Sequence, residues 1–373
     1  MKKLFLLLLL FTAQLVGAQE LALVKQDGKF GYISKTGVFA IQPKYKVAKN
    51  FSEGLAAVEE DGKWGFINMK GEWAIKPVYD DAKYFNSGIC VVAKDKEWFY
   101  INRTGGRLTM PESDKVYDFE EGMAFIKQND KVGLINSKGT VVVAPTYQII
   151  RPFTDGFAKV KLNDKWGIID KTGKIVVRID YDDLGDLYKN TTWAKKEKVF
   201  GLVFDNKFTP VDGAVKIWDF ENQDVTYAKK GKKIGFIDLK GKWVIEPKFD
   251  KARAFNKNLA PVCEGNKWGY INIKGDYIVK PSYEDAEIFS ADGLAPVRQK
   301  EWGFIDTNGK LVIPTHYQIT AGGFVAWFRK DDKGFINGLA RVGIKSDKKW
   351  CYLKPDGSIL GDKKFDNAEL FQK

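Results

Sequence analysis

A single histidine, His316, stands in a chain of 373 residues. That scarcity excludes any site built from several imidazoles and leaves one candidate for histidine acid–base chemistry. Cysteine is nearly as rare: Cys90, Cys263 and Cys351 are too few for a disulfide-built fold and too scattered for a zinc site. Apolar runs are short. After the stretch 4–11, nothing approaches the roughly 20 apolar residues that a membrane helix needs. No Asp-x-Asp-x-Asp-Gly calcium loop occurs, and no glycine-rich phosphate cradle precedes a helix, so no metal and no cofactor is expected.

What is present begins with a leader. Lys2 and Lys3 precede the apolar stretch, and Val16, Gly17 and Ala18 supply the small residues of a cleavage site, so residues 1–18 read as a secretory signal. The expected location is therefore periplasmic or secreted, with the mature chain starting near Gln19. Losing two lysines with the leader lowers the formal charge from +12 to +10. A basic exported chain is suited to anionic envelope polymers, and the lysine pairs 195–196, 229–230 and 232–233 are the places to look. Nucleic acid is not an expected partner, since no recognition module of the usual kinds is found.

The chain is also periodic. An aromatic or apolar residue, usually followed by glycine, recurs every 34 residues from Phe30-Gly31 through Trp64-Gly65, Trp98-Phe99, Val132-Gly133, Trp166-Gly167, Phe200-Gly201, Ile234-Gly235 and Trp268-Gly269 to Trp302-Gly303. A tenth pair, Trp350-Cys351, follows 14 residues late. Glycine returns seven residues after the marker (Gly37, Gly71, Gly105) and proline thirteen after it (Pro43, Pro77, Pro145), with Tyr45, Tyr79 and Tyr147 two residues further on. The ends keep phase as well: Leu21 to Val24 match the start of a unit, and Phe365 to Phe371 match its end. Ten units fill residues 19–373, with an irregular insertion at about 318–337.

A 34-residue period also suits paired helices, but the local pattern is that of strands. Short runs rich in Val, Ile, Phe, Trp and Tyr alternate with glycine turns. In the unit around Trp64 the expected strands are 55–59, 63–68 and 73–76, the last ended by Pro77 because proline lacks an amide donor. Residues 79–88 are expected to be a connecting loop that tucks Tyr79 and Phe85 inward. One such meander is too small to bury its rings, so neighbours must stack.

These residues resemble the WG-repeat family of bacterial proteins. Lys63–Asn68, Lys165–Asp170 and Lys267–Asn272 are the closest copies of its Lys-Trp-Gly-Phe-Ile-Asp signature, followed by glycine, Pro-x-Tyr-Asp and a Gly-Leu-Ala start such as Gly54-Leu55-Ala56. The resemblance covers residues 20–373 and implies an interaction module of undefined ligand. Departures occur around 179–213 and after Tyr317.

The expected architecture is all-β: three-stranded antiparallel meanders forming an open β-superhelix, with a closed propeller-like ring as the alternative, because ten units exceed the usual four to eight blades. Trp64, Trp98, Trp166, Trp268, Trp302 and Trp350 share one phase and are read as repeat core. Trp193, Trp218 and Trp327 fall outside it and are candidate binding rings; Trp327, Phe328, Arg329 and Lys330 form the candidate partner-binding segment. Paired acids such as Glu59-Glu60, Glu120-Glu121 and Asp182-Asp183 are no evidence of a catalytic dyad, since neighbours on a strand face opposite ways. His316 lacks an accompanying serine or cysteine motif. The functional expectation is an exported, non-enzymatic repeat protein acting as a binding scaffold in the bacterial envelope or outside the cell; the alternative is a carbohydrate- or cell-wall-binding module, and the minor alternative a glycan-active enzyme using paired carboxylates.

Overall fold

The computed structural model describes residues 20–221, 223–319 and 333–372. Within them, ten antiparallel sheets follow one another along the chain, eight of four strands and two of three. The unit around Trp64 shows the pattern. Its strands are Ala48–Ser52, Leu55–Glu60, Lys63–Asn68 and Trp73–Tyr79, paired in that order. We number the sheets as blades 1 to 10 and this one is blade 2.

The expected open superhelix is overturned: the ten blades close into a propeller. Blade 1 takes its second to fourth strands from the N-terminal side (Leu21–Gln26, Lys29–Ser34, Phe39–Tyr45) and its first strand, Asn367–Ala368, from the C-terminus. Val24 faces Ala368 and Lys25 faces Asn367, with a further bridge from Leu21 to Gln372. The two in-phase ends thus complete one blade together. Neither end needs a polar cap, because each covers the other's open edge.

The strand count differs from expectation for a local reason. In blade 3, Asp81–Ala82 pairs with Val92 and Ala93 inside the stretch expected to be a loop. Two residues carry no alternation to read, so the first strand of a blade leaves almost no sequence trace. Pro77 does not end the fourth strand either. It sits where the register shifts between the Trp64–Tyr79 and Phe66–Ile75 pairs, a bulge in which a missing amide hydrogen costs no ladder bond.

Glycine after the marker now has a steric cause. A Cβ on Gly65 would lie 2.7 Å from both the Ile75 carbonyl oxygen and the Pro77 nitrogen, because the fourth strand bulges across the third at that point. Gly31, Gly133, Gly235 and Gly269 meet the same obstruction.

The core lies between blades rather than within them. An aromatic on the third strand meets a phenylalanine of the next blade edge-on: Tyr32 with Phe51 at 4.7 Å, Phe66 with Phe85 at 4.8 Å, Tyr270 with Phe289 at 5.1 Å, Phe304 with Phe335 at 4.9 Å. The same pair spans the closing seam, Tyr352 with Phe371 at 5.0 Å. Each is worth about 0.5–1.5 kcal/mol beyond the area it buries. Where the third-strand residue is tyrosine, its hydroxyl donates to a backbone oxygen of the next blade, as Tyr32 does to Lys49 and Tyr270 to Glu287, both at 2.8 Å.

First strands approach closely enough for short side chains to reach the neighbouring backbone. Ser52 Oγ donates to the Phe85 oxygen at 2.6 Å and Asn256 Nδ2 to the Phe289 oxygen at 2.8 Å. Blades of a ring are nearest beside its axis, so the first strands line it.

Residues 179–213, expected to pack irregularly, divide in two. Blade 5 keeps the regular Trp166–Tyr181 pair, whereas blade 6 ends in a short fourth strand, Lys207–Pro210, paired without the bulge. At the insertion, Gln318 still pairs with Gly343 in the regular way and Phe335 takes the usual seam position. Two of the extra residues enlarge the blade 10 hairpin turn at 345–348. The candidate segment Trp327, Phe328, Arg329 and Lys330, like the leader 1–18, lies outside the described residues.

Candidate functional site: the hairpin face of the ring

Every blade presents the turn between its second and third strands on one face of the ring, and in blades 2, 5, 7 and 10 the chemistry of that face is a lock between neighbours. The lysine before the marker pairs with the aspartate of the Pro-x-Tyr-Asp segment: Lys63 with Asp80, Lys165 with Asp182 at 2.5 Å, Lys233 with Asp250 at 2.6 Å, Lys349 with Asp366. The second carboxylate oxygen of each aspartate accepts from the hairpin amide of the next blade, Asp95 at 2.7 Å, Glu197 at 2.8 Å, Gly265 at 2.8 Å and, across the closing seam, Gly28 at 3.3 Å. One carboxylate therefore ties a blade to its successor and neutralises a hairpin-face lysine.

The lysine and backbone partners hold all four carboxyls below the ordinary aspartate value. A carboxyl with a depressed folded-state pKa stabilises fully above its unfolded value near 4 and loses that contribution as pH falls through the folded value. Lowering the pH from 5 to 3 should therefore reduce the urea midpoint, and the drop should shrink in a variant carrying Asp→Asn at 80, 182, 250 and 366. An equal drop in that variant would assign the acid sensitivity to other groups.

The in-phase tryptophans lie at the hairpin end of the third strand, several beside a cation. Lys49 Nζ stands 4.7 Å from the Trp64 ring and the Arg253 guanidinium 4.5 Å from Trp268. Trp268 is buried; Trp64, Trp166, Trp302 and Trp350 are half-buried; Trp98 is 40% exposed. The difference traces to the residue after the marker. In blades 2, 5, 8 and 9 a fourth-strand tyrosine (Tyr79, Tyr181, Tyr283, Tyr317) pairs with the tryptophan. Blade 3 has Phe99 in place of glycine, so the fourth strand has no room to cross. It stops at Arg107–Leu108, and Phe99 fills the space against Tyr79 and under Arg107, 4.4 Å away. Ser113, at the phase of the missing tyrosine, forms no pair with Trp98, whose indole stays open beside Lys83 at 5.7 Å. Lys83 is itself held by Asp118 at 2.9 Å.

The remaining candidates are placed as follows. Trp193 donates its indole N–H to Asp219 at 2.8 Å, and Trp218 stacks on Tyr227 at 4.5 Å with Lys216 Nζ 4.5 Å from its ring, so both are engaged within the ring. The three thiols are free and buried, and burial raises each, that of Cys351 to about 11. Asp182 belongs to the lock, and Glu121 holds Lys171 and the Gly156 amide. His316 is exposed and lines a cavity of about 490 Å³ with Glu301, Tyr317, Ile344, Lys345 and Ser346. That cavity marks the seam between blades 9 and 10, where Glu301 and Gln318 replace the lysine and aspartate of the lock. Among the described residues, no three His, Cys, Asp or Glu side chains are grouped to hold a metal, and no helix is long and apolar enough to cross a membrane.

Sequence reasoning singled out Trp98 as core and did not foresee its opening. The signal was the phenylalanine after it, whose meaning depends on what crosses the glycine elsewhere.

Comparison with known proteins adds fold and family. The crystal structure of a eukaryotic initiation factor is similar over 95% of this chain and 98% of its own, at a TM-score of 0.52 and 10% identity, a likeness of fold alone. Apo AztD from Citrobacter koseri is 12% identical over 95% of this chain and 96% of its own, at a TM-score of 0.33. No curated protein matches. The family model described as "WG containing repeat" matches eight times, at 30–64, 64–98, 98–131, 133–166, 166–199, 234–268, 268–301 and 302–333, and the chain belongs to the WG-repeat family.

Proposed function

We propose that the protein is an exported, non-enzymatic ring scaffold that binds envelope polysaccharide. The observation that carries this reading is the open indole of Trp98, flanked by the Lys83–Asp118 pair. An indole suits the C–H face of a pyranose, and the Lys83 ammonium over one face of the ring, held by Asp118, supplies a donor with a carboxylate acceptor beside it for hydroxyl groups. Ten similar blades add further weak contacts along a polymer, which avidity multiplies. Export rests on the leader-like residues 1–18.

Retention of the purified protein on envelope polysaccharide from the source cell tests this. Trp98→Ala should weaken retention roughly fivefold to tenfold, the loss of one stacked ring, and Trp98→Phe should recover part of it. Unchanged retention by a folded Trp98→Ala protein would exclude the indole as the contact.

A further inference from the structure

Between blades 9 and 10 both members of the lock are exchanged. Glu301 stands before the marker Trp302 as Lys63 stands before Trp64, and Gln318 follows Tyr317 as Asp80 follows Tyr79. Glutamine alone does not open a seam: Gln148, at the same phase, accepts the Asp164 amide of the next hairpin on its Oε1 at 3.0 Å. Gln318 makes no such side-chain bond among the described residues, and its Oε1 lies over Gly343, 3.6 Å from where a Cβ there would sit.

The receiving hairpin differs as well. Blade 10 turns over the four residues 345–348, whereas blade 2 turns over Asp61 and Gly62 alone. Within the larger turn Asp347 pairs with Lys364, and Ser346 Oγ donates to Asp347 at 2.7 Å. Where the lock is missing there is instead a cavity of about 490 Å³, walled by Glu301, His316, Tyr317, Ile344, Lys345 and Ser346. Small-molecule sites commonly occupy about 300–1,000 Å³.

Two opposite charges share this lining without meeting. Glu301 and Lys345 form no ion pair with each other or with any described residue, and Glu301 is half-buried. A carboxylate drawn part-way out of water needs a cation to offset its lost hydration, and here the chain provides none. Asp347 and Lys364 neutralise each other, so the lining presents one free carboxylate and one free ammonium.

We propose that this cavity is a binding site for a small zwitterion of amino-acid or dipeptide size, with its ammonium on Glu301 and its carboxylate on Lys345. The ligand supplies the two groups that side chains supply in the locked blades: an ammonium in place of the lysine and a carboxylate in place of the aspartate. Tyr317 and Ile344 give it an apolar wall, and the His316 imidazole and Ser346 hydroxyl offer hydrogen bonds. The site is independent of the polysaccharide reading, because Trp98 on blade 3 takes no part in it.

His316 is the only histidine of the chain, so the imidazole proton resonances of the untagged protein report on this cavity without assignment. The probes are glycylglycine, alanylalanine and leucylglycine, each compared with its N-acetyl form, which lacks the ammonium, and its C-terminal amide, which lacks the carboxylate. The free dipeptides should shift the His316 resonances saturably. Each blocked form should bind about threefold to fivefold more weakly, the effect of removing one partly exposed charge pair. Glu301→Gln should impose that loss on the free dipeptide and none on the N-acetyl form; Lys345→Gln should impose it on the free dipeptide and none on the amide. Lys348→Gln, in the same hairpin but outside the lining, should leave affinity unchanged. An equal loss from Lys348→Gln would reduce the effect to net charge, and equal binding of free and blocked dipeptides would overturn the zwitterion assignment. No saturable shift with any probe would overturn the site itself. Trp98→Ala should leave dipeptide affinity unchanged, so failure of the sugar-stacking site and failure of this one read separately.

Discussion

Gly65→Ala should cost blade 2 about 2–4 kcal/mol, more than alanine at any exposed turn glycine of the same blade. The added methyl meets backbone on two sides, the Ile75 oxygen and the Pro77 nitrogen at 2.7 Å, and neither belongs to a flexible side chain that can swing away. Relief requires the fourth strand to lift. Blade 3 shows the result of that lifting: with Phe99 at this position the strand is only Arg107–Leu108 and the neighbouring indole is uncovered. Gly62→Ala is the comparison. Gly62 has a φ of +76° but nothing within 4 Å of an added Cβ, so its cost is the left-handed backbone alone, about 1–2 kcal/mol. Urea midpoints and tryptophan emission of the two variants test the difference. If Gly62→Ala proved the more damaging, the crossing strand would not be the reason for glycine after the marker.

Truncation after Lys364 should have the largest effect of all. It removes Asn367–Ala368, the first strand of blade 1, together with Phe365 and Phe371, which pack on Tyr352, and Asp366, which locks blade 10 to the Gly28 amide. Phe365 is almost wholly buried, and loss of a buried phenylalanine alone costs about 3–5 kcal/mol. The seam also loses its ladder, leaving Leu21–Gln26 as an unpaired edge on an opened ring. Solution scattering should show a larger radius of gyration, and proteolysis should begin near the new N-terminal edge. Concentration-dependent self-association through that edge is the accompanying expectation. A truncated chain that kept the parent's radius and unfolding midpoint would mean that the ring does not depend on its terminal strand.

Much of this was visible along the chain. The period, the glycine turns and the Pro-x-Tyr-Asp segment identified stacked β units, since each sits at a fixed distance from a marker and expresses a local backbone need. Lys63 and Asp80 were both on view, but their partnership was not, because the aspartate's second ligand is a turn amide of another blade. Trp98 shared the phase of Trp64, and phase alone made it core. Its exposure follows from a strand that fails to cross it. The Lys195, Lys229 and Lys232 clusters were plain as composition; that Lys216 lies directly opposite Lys229 required the strand register.

Strand chemistry, turn positions and family were written in nearest-neighbour patterns, where sterics and hydrogen bonding act over a few residues. Closure was a matter of contacts between positions hundreds apart, such as Val24 with Ala368, and no local preference distinguishes a final strand that pairs with the first blade from one left at an open end. The two-residue first strands, too brief to show any alternation, become strands only because a neighbouring edge is held in place to receive them.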